Sequence, residues 1–306
     1  MVKGFFWRVI VPLITFKEMM EDAGRKGYAV GYFESWNLNS LEAVLEAAEE
    51  TNSPVIIGFG CSVVSQEWLD RRGLDYLAVL GRAAARKSLV PVCYILNEIQ
   101  TLEQMERGVR LGFNVVMMDT SGLEFKKNIS VTRRAVRTAH AYGTAVEGEL
   151  GKLPTAGSKE DSSAELTDPG QAEEFVRRTG VDALSVSIGN VHLLTEGKAQ
   201  VDIERLKKIH EAVKVPFVIH GGTGFPDEAI PDAIRFGVRK FNVGTVMKKA
   251  YIDEIIKRTS GMEIDKLDIQ AVVGSRKDED VFTKAKNRVK DVVKGLIKKY
   301  GSAGQA

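Results

Sequence analysis

Short apolar runs alternate with longer amphipathic segments along nearly the whole chain. The apolar runs are rich in β-branched residues and are bounded by polar or glycine-containing turns, a pattern typical of β-strands. Eight strands are predicted, at residues 28–33, 54–59, 90–95, 115–119, 144–148, 183–187, 217–220 and 240–243. Because these runs are almost continuously apolar rather than alternating, they indicate a parallel sheet that is covered on both faces.

The segments between the strands predict helices, among them SLEAVLEAAEE, TLEQMERGVRLG and DIERLKKIHEAV. Their apolar residues recur three and four positions apart, as in a helix that packs on a sheet. Eight strand–helix units in 306 residues predict an α/β fold, a single (β/α)8 TIM barrel with a C-terminal helical extension. An open doubly wound sheet is the alternative, since periodicity alone does not separate the two.

We expect residues 1–306 to form one domain, with the barrel at about 16–258 and the helical tail at about 262–300. The tail is expected to pack outside the barrel or against a neighbouring subunit and to end in a flexible GSAGQA. One connection is unusually long and polar, GKLPTAGSKEDSSAELTD at 151–168. Loops of this length are functional or disordered, so this segment is a candidate active-site lid.

Charge and composition exclude several classes of protein. The 43 Lys and Arg residues nearly balance 41 Asp and Glu, which predicts no nucleic-acid partner but still allows a small anionic ligand. The first apolar run is broken by Arg8 and Pro12, so it is too short for a membrane span and lacks a cleavage site; we expect a cytoplasmic protein without a membrane partner. Cys61 and Cys93 are expected to be small buried residues rather than a disulfide.

Polar residues collect where the predicted strands end. In a barrel, catalytic groups lie at the carboxyl ends of the strands and in the loops that follow. The residues at these positions are Glu34, Trp36, Asn37, Asn97, Glu98, Asp119, Ser121, Glu147, Glu149, Asn190, His192, His220, Asn242, Gly244 and Thr245. The sequence therefore predicts an active site at this rim.

Two of the four histidines are candidate metal ligands. His140 and His210 lie in helical patterns and are expected to be ordinary surface or packed residues. His192 and His220 lie at strand ends on the same predicted rim. Two imidazoles and one carboxylate can hold a catalytic Zn²⁺ and leave a position open for substrate, and Glu98 is the candidate carboxylate.

Two neighbouring loops are candidates for phosphate binding. Glycines after a strand let backbone N–H groups approach an anion, and a phosphate at the loops after strands seven and eight recurs in barrels. The candidate residues are Gly221, Gly222 and Thr223 of IHGGTG and Asn242, Val243, Gly244 and Thr245 of FNVGT, with Ser121 as a further substrate-binding candidate. The alternative is that these glycines only turn the chain.

The order of motifs resembles the class II fructose-bisphosphate and tagatose-bisphosphate aldolases. The matching stretches are AVGYFESWNLNSLEAVLEAAEETNSPVI, GFNVVMMDTSGLEFKKNI, AVEGELGKL, TDPGQAEEFVRRTGVDALSVSIGNVH, VPFVIHGGTG and KFNVGT, between about residues 16 and 256. The resemblance implies a (β/α)8 barrel that uses a divalent metal, usually Zn²⁺, to polarise a ketose carbonyl and stabilise an enediolate. It also implies a homodimer or homotetramer.

The resemblance assigns roles to individual residues. It implies that His192 and His220 bind the metal and that the two glycine-containing loops bind phosphate. Asp119 and Glu149 match acidic positions that can hold a second metal. Glu160 or Asp161, in the long loop, could supply a mobile acid–base carboxylate.

One departure from the family pattern affects the chemistry directly. Where the family has H-x-D-H after strand three, this chain has Ile95, Leu96, Asn97 and Glu98. Glu98 can still bind a metal, but Asn97 can only form hydrogen bonds, because an amide does not titrate usefully. General acid–base catalysis contributes about 10²–10⁴-fold, so we expect cleavage of ordinary fructose 1,6-bisphosphate to be impaired.

Other departures affect the substrate pocket. Leu193 replaces a glycine beside the phosphate loop, and Val246 replaces the aspartate of the family's N-x-x-T-D stretch. Glu34 and Trp36 stand where the family tends to have small amides. A carboxylate repels a second phosphate, whereas a tryptophan either stacks on a ligand or packs at the rim.

The sequence therefore favours a metal-dependent carbon–carbon lyase that acts on a phosphorylated ketose or related sugar, with Zn²⁺, Mn²⁺ or Co²⁺ at Glu98, His192 and His220. Glu34, Glu149 or a loop carboxylate such as Glu160 would move protons, and Asn97 would contact the substrate. An isomerase, epimerase or transaldolase-like enzyme is one alternative, and a non-catalytic sugar-phosphate sensor or accessory subunit is another. The replacement of a histidine by another ligand, Glu98, favours an active enzyme.

Overall fold

Eight parallel strands close into a barrel in the computed structural model, which describes residues 12–157 and 165–306. The strands are β1 Val30–Ser35, β2 Val55–Gly60, β3 Val92–Ile99, β4 Val115–Met118, β5 Ala145–Leu150, β6 Ala183–Val186, β7 Phe217–Ile219 and β8 Val238–Val243. Each strand pairs with the next in sequence, and β1 pairs with β8 to complete the ring. The predicted TIM barrel is confirmed, and the open sheet is excluded.

Helices alternate with the strands around the barrel. They are α1 Phe16–Lys26, α2 Leu38–Glu50, α3 Gln66–Trp68, α4 Leu74–Lys87, α5 Leu102–Leu111, α6 Phe125–His140, α7 Pro169–Thr179, α8 Ile203–Ala212, α9 Ile230–Arg235, α10 Thr245–Thr259, α11 Ile269–Val272 and α12 Val281–Lys299. A π-helical turn, Leu69–Gly73, joins α3 to α4, and 3₁₀ turns occupy Asp227–Ala229 and Ile264–Lys266. In the described ranges, no helix is long and apolar enough to cross a membrane.

The continuous apolar runs in the strands arise because both strand faces are buried. Inward-facing residues such as Val30, Tyr32 and Ile95 form one apolar cluster in the barrel interior, together with α1. Outward-facing residues such as Phe33 and Leu96 belong to a second cluster that includes the surrounding helices. Side chains on a strand alternate between its two faces, so each strand supplies both layers.

Strand β3 extends further than the sequence predicts. The predicted strand ends at Ile95, but the observed strand continues to Ile99, and its register with β4 shifts between Leu96 and Ile99. Glu98 lies in this irregular stretch with φ of 56°, a left-handed conformation that is uncommon outside glycine. The irregularity places Asn97 and Glu98 inside the strand rather than in the loop after it.

The C-terminal helix α12 packs outside the barrel against α2 and α10, one of the two placements expected. Ala285, Val289, Val293 and Ile297 form its buried stripe. The expectation of a flexible end is wrong, because two backbone hydrogen bonds hold the last residues. The N–H of Gly304 donates to the carbonyl oxygen of Thr51 at 2.9 Å, and that of Ala306 donates to Asn52 at 3.0 Å.

Candidate active site

A cavity lies at the carboxyl end of the barrel, where the sequence predicts the site. Predicted site residues that line it are Glu34, Asn97, Glu98, Asp119, Ser121, Glu149, His192, His220, Gly221, Thr223, Asn242, Val243, Gly244 and Thr245. Lining residues that the sequence analysis missed include Tyr32, Ser62, Lys152, Thr155 and Lys248. Glu160 and Asp161 lie outside the described residues.

His220 is held at the floor of this cavity by a buried ion pair. Its Nε2 lies 2.8 Å from Oε1 of Glu147, and Nζ of Lys240 lies 2.6 Å from the other oxygen of that carboxylate. Since a carboxylate only accepts, we assign the proton to Nε2. Burial raises the pKa of Glu147, but the charges of Lys240 and His220 outweigh it and leave that pKa below its ordinary value.

Glu98 faces the other nitrogen of His220. Its Oε1 lies 3.7 Å from Nδ1, and its second oxygen accepts a hydrogen bond from the Ser62 hydroxyl. Nδ1 is buried and has no hydrogen-bond partner within residues 12–157 and 165–306. Burial lowers the pKa of His220, but its hydrogen bond to Glu147 and the surrounding carboxylates raise it above its ordinary value. The position between Nδ1 and Glu98 therefore favours a cation, either a proton or a metal ion.

His192 is fixed beside His220 by the long loop after β5. The backbone N–H of His192 donates to Pro154, and its carbonyl oxygen accepts from Ala156, both at 2.9 Å. The centres of the two imidazole rings are 5.9 Å apart. Leu193 follows with φ of 54°, a conformation that a glycine would adopt without strain.

These residues fit a divalent metal by their donor types. An imidazole nitrogen and a carboxylate oxygen meet at 3.7 Å, and the second nitrogen of the same imidazole is bound to a carboxylate, as is usual for histidines that bind metals. As they stand, the described residues contain no group of three or more His, Cys, Asp or Glu side chains close enough to hold a metal. His192 is the adjacent candidate for the third ligand.

A second acidic pair lies across the cavity. Glu149 on β5 is buried, and burial, with added repulsion from Asp119 and Glu98, raises its pKa to about 8. Asp119 accepts a hydrogen bond from Ser121 Oγ at 2.7 Å. Glu149 is thus a carboxyl group that retains a proton near neutral pH, while Ser121 orients the neighbouring carboxylate.

Glu34 and Lys248 form an ion pair on another wall of the cavity. Burial raises the pKa of Glu34 despite the opposing charge of Lys248. A Cβ at Gly60 would lie 2.7 Å from a Glu34 oxygen, and one at Gly244 would lie 3.1 Å from it, so the carboxylate packs closely against both glycines. Trp36 packs edge-on against Tyr251 with ring centres 5.5 Å apart, which supports the rim-packing interpretation of this tryptophan.

The two glycine-containing loops meet at the start of α10. Gly221 has φ of 65°, and a Cβ there would lie 2.2 Å from the carbonyl oxygen of Val191. Gly222 does not line the cavity; its N–H donates to the Asn242 carbonyl oxygen at 2.9 Å and joins the loops. The hydroxyl of Thr223 caps α10 by accepting a hydrogen bond from the N–H of Val246 at 3.3 Å, and the N–H of Met247 donates to the carbonyl oxygen of Gly244 at 3.1 Å. Thr245, the first residue of α10, lines the cavity, so the positive end of the helix dipole is a candidate anion-binding position.

Fold and site together define a TIM barrel whose cavity brings an imidazole–carboxylate pair together with the start of α10. The sequence profile of the family described as fructose-bisphosphate aldolase class-II matches residues 14–305. The chain therefore belongs to the class II fructose-bisphosphate aldolase family, whose members are lyases. This confirms the resemblance seen in the sequence.

Individual relatives agree with this assignment. The chain is 32% identical to the probable fructose-bisphosphate aldolase of Bacillus subtilis over 303 residues, which cover 97% of this chain and all of that protein. It is 33% identical to the fructose-bisphosphate aldolase of Geobacillus stearothermophilus, and the match covers 97% of this chain and 99% of that protein. The crystal structure of the YdjI aldolase from Escherichia coli K12 matches with a TM-score of 0.77 at 32% identity. The match covers 96% of this chain and 99% of that one.

Proposed function

We propose that this protein is a metal-dependent aldolase for a phosphorylated ketose or related sugar other than fructose 1,6-bisphosphate. The observation that carries the proposal is Nδ1 of His220, which has no hydrogen-bond partner among the described residues and faces Glu98 at 3.7 Å in a cavity that also contains the start of α10. A cation position and an anion position in one cavity suit a ketose with a phosphate group. We also predict that the chain forms one domain, that the protein is cytoplasmic, and that it assembles as a homodimer or homotetramer.

In this proposal Glu98, His192 and His220 would hold the metal, which is Zn²⁺, Mn²⁺ or Co²⁺. Asp119 and Glu149 would form a second metal-binding position. When bound, such a metal would supply a Lewis acid for the ketose carbonyl. Glu147 and Lys240 keep the His220 ring oriented with Nδ1 toward Glu98. This role is a positioning one, because neither side chain lines the cavity.

The phosphate would bind at the start of α10. Gly221 and Thr223 line the approach from β7, and residues 242–245 supply the end of β8 and the first turn of the helix. Gly222 supports the site through its backbone hydrogen bond. The helix end contributes a positive partial charge, and the Thr223 hydroxyl beside it is a further hydrogen-bonding group, both favourable to phosphate.

Among the described residues, Glu149 is the favoured candidate for proton transfer, and Glu160 and Asp161 stay candidates from the sequence. Glu149 lines the cavity and carries a proton near neutral pH, so it is the candidate general acid and base. Glu34 is paired with Lys248, which favours a binding role for it over a proton-carrying one. Asn97 is buried and lines the cavity, where it can hydrogen-bond a substrate oxygen.

The Glu34–Lys248 pair supports the exclusion of a bisphosphate. The carboxylate lies against Gly244, beside the start of α10, and the ammonium group is already neutralised by it. With one phosphate bound at the start of α10, a second phosphate on this wall would meet both that phosphate and the Glu34 carboxylate rather than a free cation. A hydroxyl group, by contrast, can hydrogen-bond to either member of the pair.

Elemental analysis of the purified protein, beside the variants Glu98→Ala and His220→Ala, tests the metal site. We expect near-stoichiometric divalent metal in the wild type and in the control His140→Ala, whose imidazole bonds to Asp182 outside the cavity. Both site variants should lose it. Wild-type protein that takes up no Zn²⁺, Mn²⁺ or Co²⁺ would exclude the mechanism and favour the sensor alternative.

Product analysis with ketose monophosphates then separates the enzyme alternatives. Release of dihydroxyacetone phosphate from a ketose 1-phosphate indicates cleavage. Conversion to an isomer or epimer without loss of carbon would show that the enediolate forms but the carbon–carbon bond stays intact, and the isomerase alternative would then replace the aldolase proposal.

A further inference from the structure

Tyr32 is the largest buried side chain that reaches from the barrel interior into the cavity. It lies on β1, two residues before Glu34, and only 1% of its surface is exposed. Its ring packs in the interior cluster, 5.1 Å from the buried Nζ of Lys240. Its side chain also lines the cavity together with Asn97 and Glu98.

The hydroxyl of Tyr32 is buried and makes no hydrogen bond within the described ranges 12–157 and 165–306. Asn97 Oδ1 and both amide atoms of Asn242 share this condition and line the same cavity. Buried polar groups almost always have partners, so several unpaired groups facing one cavity indicate a polar ligand that completes them.

Tyr28 provides an internal comparison. It belongs to the same apolar cluster and is buried to nearly the same extent, at 2% exposed. Its hydroxyl donates to Oδ2 of Asp22 at 2.8 Å, away from the cavity. Burial of a tyrosine in this cluster therefore does not require an unpaired hydroxyl. Of these two tyrosines, it is Tyr32, which lines the cavity, whose hydroxyl has no partner among the described residues.

The surroundings of Tyr32 keep it a donor. Burial raises the pKa of its phenol, and the nearby carboxylates of Glu34 and Glu98 raise it further. The hydroxyl thus offers a proton in a hydrogen bond without titrating, and Asn97 and Asn242 beside it are also uncharged groups. Such a set suits the hydroxyl or carbonyl oxygens of a sugar rather than a second phosphate.

We propose that Tyr32 is a substrate-contacting residue whose hydroxyl donates a hydrogen bond to an oxygen of the bound sugar, beside Asn97. The inference rests on the proposed function, since the sugar is the phosphorylated ketose of that reaction. A donor at an oxygen that gains negative charge when the carbon–carbon bond breaks or forms stabilises the transition state more than the ground state.

The variant Tyr32→Phe removes only the hydroxyl, and Tyr28→Phe is the matched control. We expect Tyr32→Phe to keep or raise the midpoint of thermal unfolding, since it removes an unpaired buried group, and to lower kcat/KM for a ketose monophosphate by about 10²–10³-fold, the usual loss for one such donor. Tyr28→Phe should lower the midpoint, because its hydroxyl has a protein partner, and leave kcat/KM unchanged.

Calorimetric binding of dihydroxyacetone phosphate to the metal-loaded protein supplies a readout without turnover, and fructose 1-phosphate is added as a second ligand where the wild type does not cleave it. If the wild type cleaves no ketose phosphate but binds fructose 1-phosphate more tightly than Tyr32→Phe does, the proposed function is refuted and the contact is supported. If Tyr32→Phe has the same turnover and the same ligand binding as the wild type, only the inference about Tyr32 is overturned. A fall in its unfolding midpoint like that of Tyr28→Phe would also overturn it, since the hydroxyl would then have a protein partner.

Discussion

Lys240 and Glu147 form an ion pair of 2.6 Å inside the barrel, and neither side chain is exposed to solvent. The pair also determines the orientation of His220, whose Nε2 bonds to the second oxygen of the same carboxylate. Burial lowers the pKa of Lys240, but Glu147 opposes this effect. Stability and the geometry of the candidate metal site therefore depend on the same carboxylate.

Replacement of Lys240 by methionine should destabilise the protein strongly. Methionine keeps the length of the side chain but removes its charge, so His220 is left as the one partner of the buried Glu147 carboxylate. Breaking a buried ion pair in this way lowers the free energy of unfolding by about 3–5 kcal/mol. Denaturant unfolding measures the loss. The control Lys198→Met removes an exposed pair with Glu228 and should leave the free energy of unfolding unchanged. Equal stability of the two variants would contradict a structural role for the buried pair.

The fold was predictable from the sequence because both strand faces are buried and the helices have a clear 3.6-residue period. The strand ends were less predictable. The irregularity in β3 depends on a left-handed backbone at Glu98, which no apolar pattern reveals. The pairing of Lys240 was missed because a lysine at the start of a predicted strand carries no sign of its partner, Glu147, 93 positions away.

The chemistry of the site was predictable where residues follow strand ends, and less so elsewhere. Tyr32 could have been found by strand alternation, because it shares a face with Glu34 two residues later. Lys248 lies in the first turn of α10, and its pairing with Glu34 depends on closure of the barrel between β8 and β1. Contacts of that kind require the three-dimensional structure.

The pH dependence of stability should reveal the buried carboxyl of Glu149 in chelator-treated protein. Its folded pKa of about 8 lies above the ordinary value of 4.5, because of burial, so its contribution to stability is full below pH 4.5 and is lost as pH rises to about 8. The loss is at most about 1.4 kcal/mol for each pH unit.

Unfolding of Glu149→Gln and wild type should therefore be compared from pH 4 to pH 9. The variant should gain stability relative to the wild type as pH rises through this window, and the difference should level off above about pH 8. The exposed variant Glu211→Gln controls for the rest of the chain. A difference that does not change with pH would exclude a raised pKa at Glu149.

Two glycine substitutions should have opposite effects. Gly295→Ala lies on the exposed face of α12 with open space for a Cβ, and it should stabilise the protein by about 0.5–1 kcal/mol. Gly221→Ala should destabilise it by at least ~1–2 kcal/mol, since the residue is left-handed and its Cβ would collide with the Val191 carbonyl oxygen. Thermal unfolding measures both, and phosphate binding should weaken only in Gly221→Ala. Similar effects of the two substitutions would contradict the loop geometry.

The ion pair between Glu34 and Lys248 should set the preference between one and two phosphates. Glu34→Gln keeps the shape of the side chain but frees the Lys248 ammonium group, so the ratio of kcat/KM for a ketose bisphosphate to that for its monophosphate should rise by about tenfold, equivalent to ~1.4 kcal/mol of differential binding. Lys248→Met should lower the same ratio, because the carboxylate is then unpaired. The control Glu42→Gln breaks a pair with Arg276 outside the cavity and should leave the ratio unchanged. If Glu34→Gln has the same ratio as the wild type, the ion pair does not discriminate against the second phosphate. The exclusion of fructose 1,6-bisphosphate would then depend on Asn97 alone.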